Sequence, residues 1–271
     1  MEENASKTVI IAARKLFRLV KRNYKEMFHR ILIIPILILL ATNCSCVKDK
    51  VTDQPAGNIP IPPATQSPSN AKKTYLALGD SYTIGHGVPS GERYPAQTKN
   101  WLKENGITGI KDPQIIATSG WTTLNLQAAI ENQNPEGPFD AVSILIGVND
   151  QYRGADTAGY RTRFTQLVQK CILLGNNLPA HVFVLSIPDY SVTPFGKNFD
   201  VKRISKEIDE YNAINKKVAL SYKVQYLGIT SSTREATTNP ALICSDGLHP
   251  SGLEYKKWAE KLCPMMKTIL E

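Results

Sequence analysis

The 271-residue chain offers no apolar run long enough to cross a bilayer unaided. Its one candidate, residues 31–41, has eleven residues broken by Pro35, whereas a membrane helix needs roughly 20. Paired cysteines are also missing: Cys171, Cys244 and Cys263 show no C-x-x-C spacing, so nothing calls for a structural metal, and one disulfide or none remains open. Gly85, His86, Gly87 and Gly91 miss the G-x-G-x-x-G spacing, which removes a nucleotide loop. Acidic residues are the minority, 24 against 32 basic, and a net charge of +8 invites a nucleic-acid reading. Residues 1–43 alone carry five of those eight charges, leaving too little excess elsewhere for a basic groove. What is present, 42% apolar, 21% charged and 8% aromatic residues, is globular and excludes disorder, collagen and coiled coil.

The short apolar core follows a basic segment and precedes Ala41-Thr42-Asn43-Cys44-Ser45-Cys46, the order of a secretory leader. This segment resembles a bacterial lipoprotein signal, which implies lipidation at Cys44 or, with Ser45 before it, at Cys46; Cys44 lies closer to the apolar core. Residues 1–43 are therefore expected to be a signal peptide, and Met27, which opens a compact leader by itself, is a candidate start. Residues 47–72 hold five prolines and no aromatic, too little apolar surface to fold, so 44–72 is expected to be an extended tether. A single domain is expected over 73–271. The location implied is extracytoplasmic, with the membrane reached through the lipid only.

Five β-branched or apolar runs, at 74–78, 114–118, 141–146, 181–187 and 223–227, are continuous rather than alternating, as in strands covered on both faces. Helical patterns lie between them at 95–104, 122–133, 157–174 and 201–221, and a last one spans 252–270, with Trp258, Leu262, Met265, Met266 and Ile269 at core spacing and Pro264 expected to kink it. Strict alternation predicts a three-layer α/β/α sandwich on a five-stranded parallel sheet.

In such folds chemistry gathers beyond the carboxyl ends of the strands. The loops there read Gly79-Asp80-Ser81-Tyr82-Thr83, Ser119-Gly120-Trp121, Gly147-Val148-Asn149-Asp150 and Asp246-Gly247-Leu248-His249-Pro250. Acyl transfer needs a nucleophile, a base, a carboxylate to orient the base and donors for an oxyanion. Ser81, beside a Gly79 expected to make a special turn, is the candidate nucleophile. His249 is the candidate base by elimination: His29 is in the leader, His181 opens the fourth strand at the wrong end, and His86 shows no carboxylate nearby in sequence. Asp246, three residues before His249, can turn back to its Nδ1. The N–H groups of Ser81 and Gly120 and the side-chain amide of Asn149 are candidate oxyanion donors. Asp80 and Asp150 read as turn and cap residues, and Trp121, Tyr190, Phe195 and Phe199 as pocket wall or packing. Each short motif alone is an ordinary turn; four in order, each after a strand, are not.

On these blocks the chain, over about residues 74–270, resembles the SGNH subgroup of the GDSL hydrolases, esterases and lipases of flavodoxin-like three-layer fold. The resemblance places Ser81, Gly120, Asn149 and His249 in the family's four blocks, with Asp246 beside the last. It implies a cofactor-free, metal-free hydrolysis through an acyl-enzyme. Short acyl esters, O-acetyl groups on glycans foremost, are the expected substrates, because the tether suggests a cell surface and no long apolar lid is apparent. Lysophospholipids or thioesters are the alternative within the family, and a non-catalytic glycan-binding lipoprotein the alternative outside it. Neither nucleic-acid binding nor a particular oligomeric state is indicated.

Overall fold

The structure, a computed structural model, describes residues 72–271. The expected signal peptide, Met27, Cys44, Cys46 and the tether as far as residue 71 lie outside the described residues.

Five strands, β1 (Tyr75–Gly79), β2 (Gln114–Ala117), β3 (Ala141–Leu145), β4 (Val182–Leu185) and β5 (Gln225–Leu227), form one sheet in the order β2-β1-β3-β4-β5. Every neighbouring pair is parallel. The residues of β1, β3 and β4 are buried at every position, which is why these runs are continuously apolar. Ser143, the polar exception in β3, is satisfied by the hydroxyls of Tyr75 at 2.8 Å and Tyr94 at 3.1 Å.

The helices are α1 (Ser81–Ile84), α2 (Tyr94–Glu104), α3 (Thr123–Gln133), α4 (Val148–Tyr152), α5 (Thr157–Leu174), α6 (Val201–Ser221), α7 (Thr230–Arg234) and α8 (Gly252–Leu270). The chain steps one way along the sheet from β1 to β2 and the other way from β2 through β5. Right-handed crossovers then put α2 on one face and α3, α5 and α6 on the opposite one. Helix packing agrees: α2 lies against α8, and α5 lies between α3 and α6. The result is the expected three-layer sandwich with flavodoxin-like strand order.

The expected bounds of α5, α6 and α8 hold to the residue, and sequence-local caps explain two of the starts. Asp156 accepts from the Gly159 N–H at 2.7 Å and Asp200 from the Arg203 N–H at 3.0 Å. Strand ends differ more. The fourth begins at Val182 because residues 179–181 form a 3-10 turn, and the fifth begins at Gln225 because Lys223 adopts φ +57°, a left-handed turn after α6. Trp258, Leu262 and Met266 are buried, and Met265 and Ile269 pack half-buried beside them. Cys171, Cys244 and Cys263 are free thiols. Burial pushes the thiols of Cys171 and Cys263 up to about 12, so both are inert.

Candidate active site

At the end of β1 the chain turns directly into α1, and Asp80 caps it by accepting the Tyr82 N–H at 3.0 Å. Ser81 is thus the first helical residue, whose N–H has no acceptor within the helix. Gly79 does not occupy the left-handed region, contrary to the expectation of a special turn. Its reason is space: a Cβ there would collide with Thr83 Oγ1 and the Leu145 carbonyl, so the loop that carries Ser81 can press against β3.

After β2, Trp121 N–H donates to the Thr118 carbonyl at 3.2 Å, and Gly120 sits third in this turn with φ +82°. That is a turn that demands a positive φ, and it leaves the Gly120 N–H outside the turn's own bond. Arg153 Nη2 donates to the Gly120 carbonyl at 2.8 Å and fixes the peptide from the other side. Asn149 stands in α4, just past β3, where its Nδ2 donates to the Trp121 carbonyl at 3.0 Å. One of the amide's two N–H groups is engaged there, and the other is available to a ligand.

The loop before α8 is organised around Asp246. Its Oδ1 accepts from the N–H groups of Leu248 at 2.8 Å and His249 at 2.9 Å and from the Cys244 thiol at 3.0 Å. Its Oδ2 lies 2.6 Å from His249 Nδ1. Partial burial opposes ionisation of Asp246, but these bonds outweigh it and hold the carboxyl well below the usual range. Burial also lowers the imidazole of His249, more than Asp246 raises it, so the ring is neutral and able to accept a proton.

Ser81, Gly120, Asn149 and His249 line a single cavity of about 210 Å³, although residues 81 and 249 are far apart in the chain. Tyr82, Ser119, Val148, Tyr152, Tyr190, Phe195 and Leu248 complete its wall. Of the expected wall residues, Tyr190 and Phe195 are there; Phe199 packs behind, with its ring 5.2 Å from Phe195 and 6.2 Å from Tyr152, and Trp121 contributes its carbonyl to Asn149.

His86 corrects the sequence reading. It does have a carboxylate: its Nε2 lies 3.9 Å from Asp246 Oδ2, its ring is 4.6 Å from that of His249, and its Nδ1 meets Ser119 Oγ at 3.0 Å. The five-residue separation from Ser81 hid this, because α1 and the left-handed Gly85 after it turn the chain back to the cavity rim. Cys244, Arg153 and Tyr152 were also missed; the only available signal was their nearness in sequence to Asp246 and Asn149.

Asp150 is a cap in the broader sense, its carboxylate accepting from the N–H of Thr123 at 2.8 Å and the hydroxyl at 2.6 Å at the start of α3. Asp80 is more unusual. It is fully buried with Oδ2 unpartnered, and that burial, with the charge of Asp150 adding to it against the Tyr82 N–H bond, pushes its carboxyl up to about 8. An unfolded aspartate ionises near pH ~4. The proton that only the folded state keeps makes this site's contribution to stability greatest below that pH and progressively lost as pH rises to about 8. Asp80→Asn, which keeps the cap and never ionises, should therefore gain on the parent by up to about 1 kcal/mol per pH unit between pH ~5 and ~8. Urea unfolding at both ends of that window measures it, and a pH-independent gap would contradict the buried neutral acid.

Residues 77–257 match the model of the GDSL-like Lipase/Acylhydrolase family. An arylesterase of Vibrio mimicus is 29% identical over 193 residues, 70% of this chain and 86% of the relative. Two solved structures share the fold. A GDSL-like protein of Parabacteroides merdae has 19% identity and a TM-score of 0.57 over 75% of this chain and 100% of its own. An acetyl xylan esterase has 20% identity and a TM-score of 0.55 over 70% and 97%. The family match runs from β1 into α8 and so takes in every loop on the cavity: the chain belongs to the GDSL-like lipase and acylhydrolase family of ester hydrolases.

Proposed function

We propose that the protein is a serine esterase that removes short acyl groups, acetyl foremost, through an acyl-enzyme with Ser81, His249 and Asp246 as its triad. Ser81 Oγ attacks the ester carbonyl while His249 Nε2 takes its proton. Asp246 holds the Nδ1 proton and stabilises the imidazolium. The carbonyl oxygen becomes an oxyanion held by the N–H groups of Ser81 and Gly120 and the amide of Asn149, donors worth about 100- to 1,000-fold each. Collapse expels the alcohol, which leaves with the proton from His249, and water repeats the sequence to free the acid and Ser81.

The observation that carries this reading is that Ser81, Gly120, Asn149 and His249 share one cavity, with Asp246 on the far nitrogen of His249. At about 210 Å³ the cavity is smaller than the roughly 300–1,000 Å³ of a drug-sized site, which suits an acetyl group and part of its alcohol. Tyr152, Tyr190 and Phe195 offer apolar ring faces to that alcohol, be it a sugar or an aryl group. The arylesterase relative supports an aryl ester as a laboratory substrate. The expected surface tether favours acylated glycans as the natural one.

A p-nitrophenyl ester series tests the acyl size. Specificity, kcat/KM, should peak at acetate to butyrate and fall about tenfold or more by octanoate. A preference for palmitate would favour the lysophospholipid reading instead.

A further inference from the structure

We propose that His86, Asp246 and His249 form a second-function site at the cavity rim: they bind a zinc ion, and the bound ion switches the esterase off. Ligand atoms from the three side chains lie within 4.8 Å of one another. Two imidazoles and a carboxylate are a set that suits zinc and its transition-metal neighbours, not magnesium or calcium. With bonds of about 2.0–2.2 Å, neighbouring ligand atoms of a tetrahedral zinc stand roughly 3.3 Å apart. Asp246 Oδ2 to His86 Nε2, now 3.9 Å, would have to close slightly, and Oδ2 to His249 Nδ1, now 2.6 Å, to open slightly. With the two imidazole nitrogens also closing from at most 4.8 Å, these are side-chain rotations at a rim where His86 is 53% and Asp246 30% exposed while His249 is mostly buried, so the fourth position, on the His86 side, is open to water.

The outer contacts favour ligation. Ser119 Oγ sits 3.0 Å from His86 Nδ1. When that nitrogen carries the proton and donates it to the serine, the lone pair is on Nε2, toward Asp246, in the manner of imidazoles oriented by an outer partner. The same ring lies 4.6 Å from that of His249 at a tilt of 43°, so the two imidazoles approach one carboxylate oxygen.

The inhibition half rests on the catalytic reading above. Zinc coordinated through Nδ1 of His249 displaces the proton shared with Asp246. Nδ1 yields that proton to solvent and Nε2 takes one from solvent, so the ring stays neutral but its lone pair no longer faces Ser81. Asp246, now a zinc ligand, also ceases to orient the ring. The base is lost while the oxyanion donors stay in place.

Tag-free protein keeps other histidines out of the test. Calorimetric titration with zinc chloride should show a single equivalent bound equally by the parent and by Ser81→Ala, and parallel assays on p-nitrophenyl acetate should show inhibition reversed by EDTA and not reproduced by magnesium. His86→Gln should raise the zinc concentration for half-inhibition, relative to its own uninhibited rate, by about 10- to 100-fold. Cys244→Ser should change it less than about twofold, because the thiol bonds the other oxygen of Asp246. Should His86→Gln itself be slow, zinc titration of the double variant Ser81→Ala, His86→Gln still reads the ligand directly. Unchanged zinc response on losing His86, or a response abolished by Cys244→Ser, would overturn the site. Zinc bound through His86 by a parent without esterase activity would instead sink the catalytic reading and leave the metal site standing.

Discussion

Replacing Ser81 with alanine is expected to lower kcat for p-nitrophenyl acetate by about 100,000-fold or more, with the folded state unchanged. The substitution removes one oxygen from a side chain already 95% shielded, at the position where β1 passes into α1. The features that fix that turn do not involve this oxygen. Asp80 caps α1 through the Tyr82 N–H, and Gly79 lets the loop close on Leu145. The proposed oxyanion donors persist as well, since they are backbone N–H groups and Asn149, so residual hydrolysis above the buffer rate is expected from them alone. Steady-state rates paired with a thermal melt by circular dichroism separate the two effects. A variant that melts like the parent and hydrolyses at a rate near the parent's would show that Ser81 is not the nucleophile.

Asp246→Asn should cost about 10,000-fold in kcat, the scale of the corresponding loss in serine-protease triads, with little change in KM. The reason lies in the bonds around the carboxylate. Its Oδ1 accepts from two backbone N–H groups and a thiol, all within 3.0 Å, and an asparagine must keep its carbonyl oxygen there. The amide nitrogen is then forced into the place of Oδ2, 2.6 Å from His249 Nδ1. Two donors cannot face each other, so Nδ1 gives up its proton and Nε2 acquires it. The imidazole is held in place but in the wrong tautomer. Measuring kcat and KM together checks this: a loss below about tenfold, or one confined to KM, would mean that Asp246 does not set the state of the base.

The five strands, the layers and the rim that holds the cavity were legible in the sequence because the strands are continuous apolar runs and the first three are each followed by a turn motif. The helices α5 and α6 were legible to the residue because the side chain just before each one caps it, Asp156 and Asp200 respectively. The short helices α1, α4 and α7 were not, since four or five residues are too few for periodicity to register. Gly79 was recognised for the wrong physical reason: its need is clearance from Leu145 in a strand that is distant in the sequence, which no local pattern reveals. His86 was set aside because a carboxylate partner was sought nearby in sequence, whereas Asp246 reaches it only through the fold. Cys244 was read as a possible disulfide partner, and its bond to Asp246 depends on how the loop before α8 folds around one carboxylate.

One measurement bears most directly on the claim that these distant loops make a single reacting centre. The parent protein, treated with a fluorophosphonate and digested, should carry the phosphonyl group on the peptide containing Ser81, with labelling slowed sharply in Asp246→Asn. Adduct on any other residue, or none under conditions where ester hydrolysis proceeds, would contradict it.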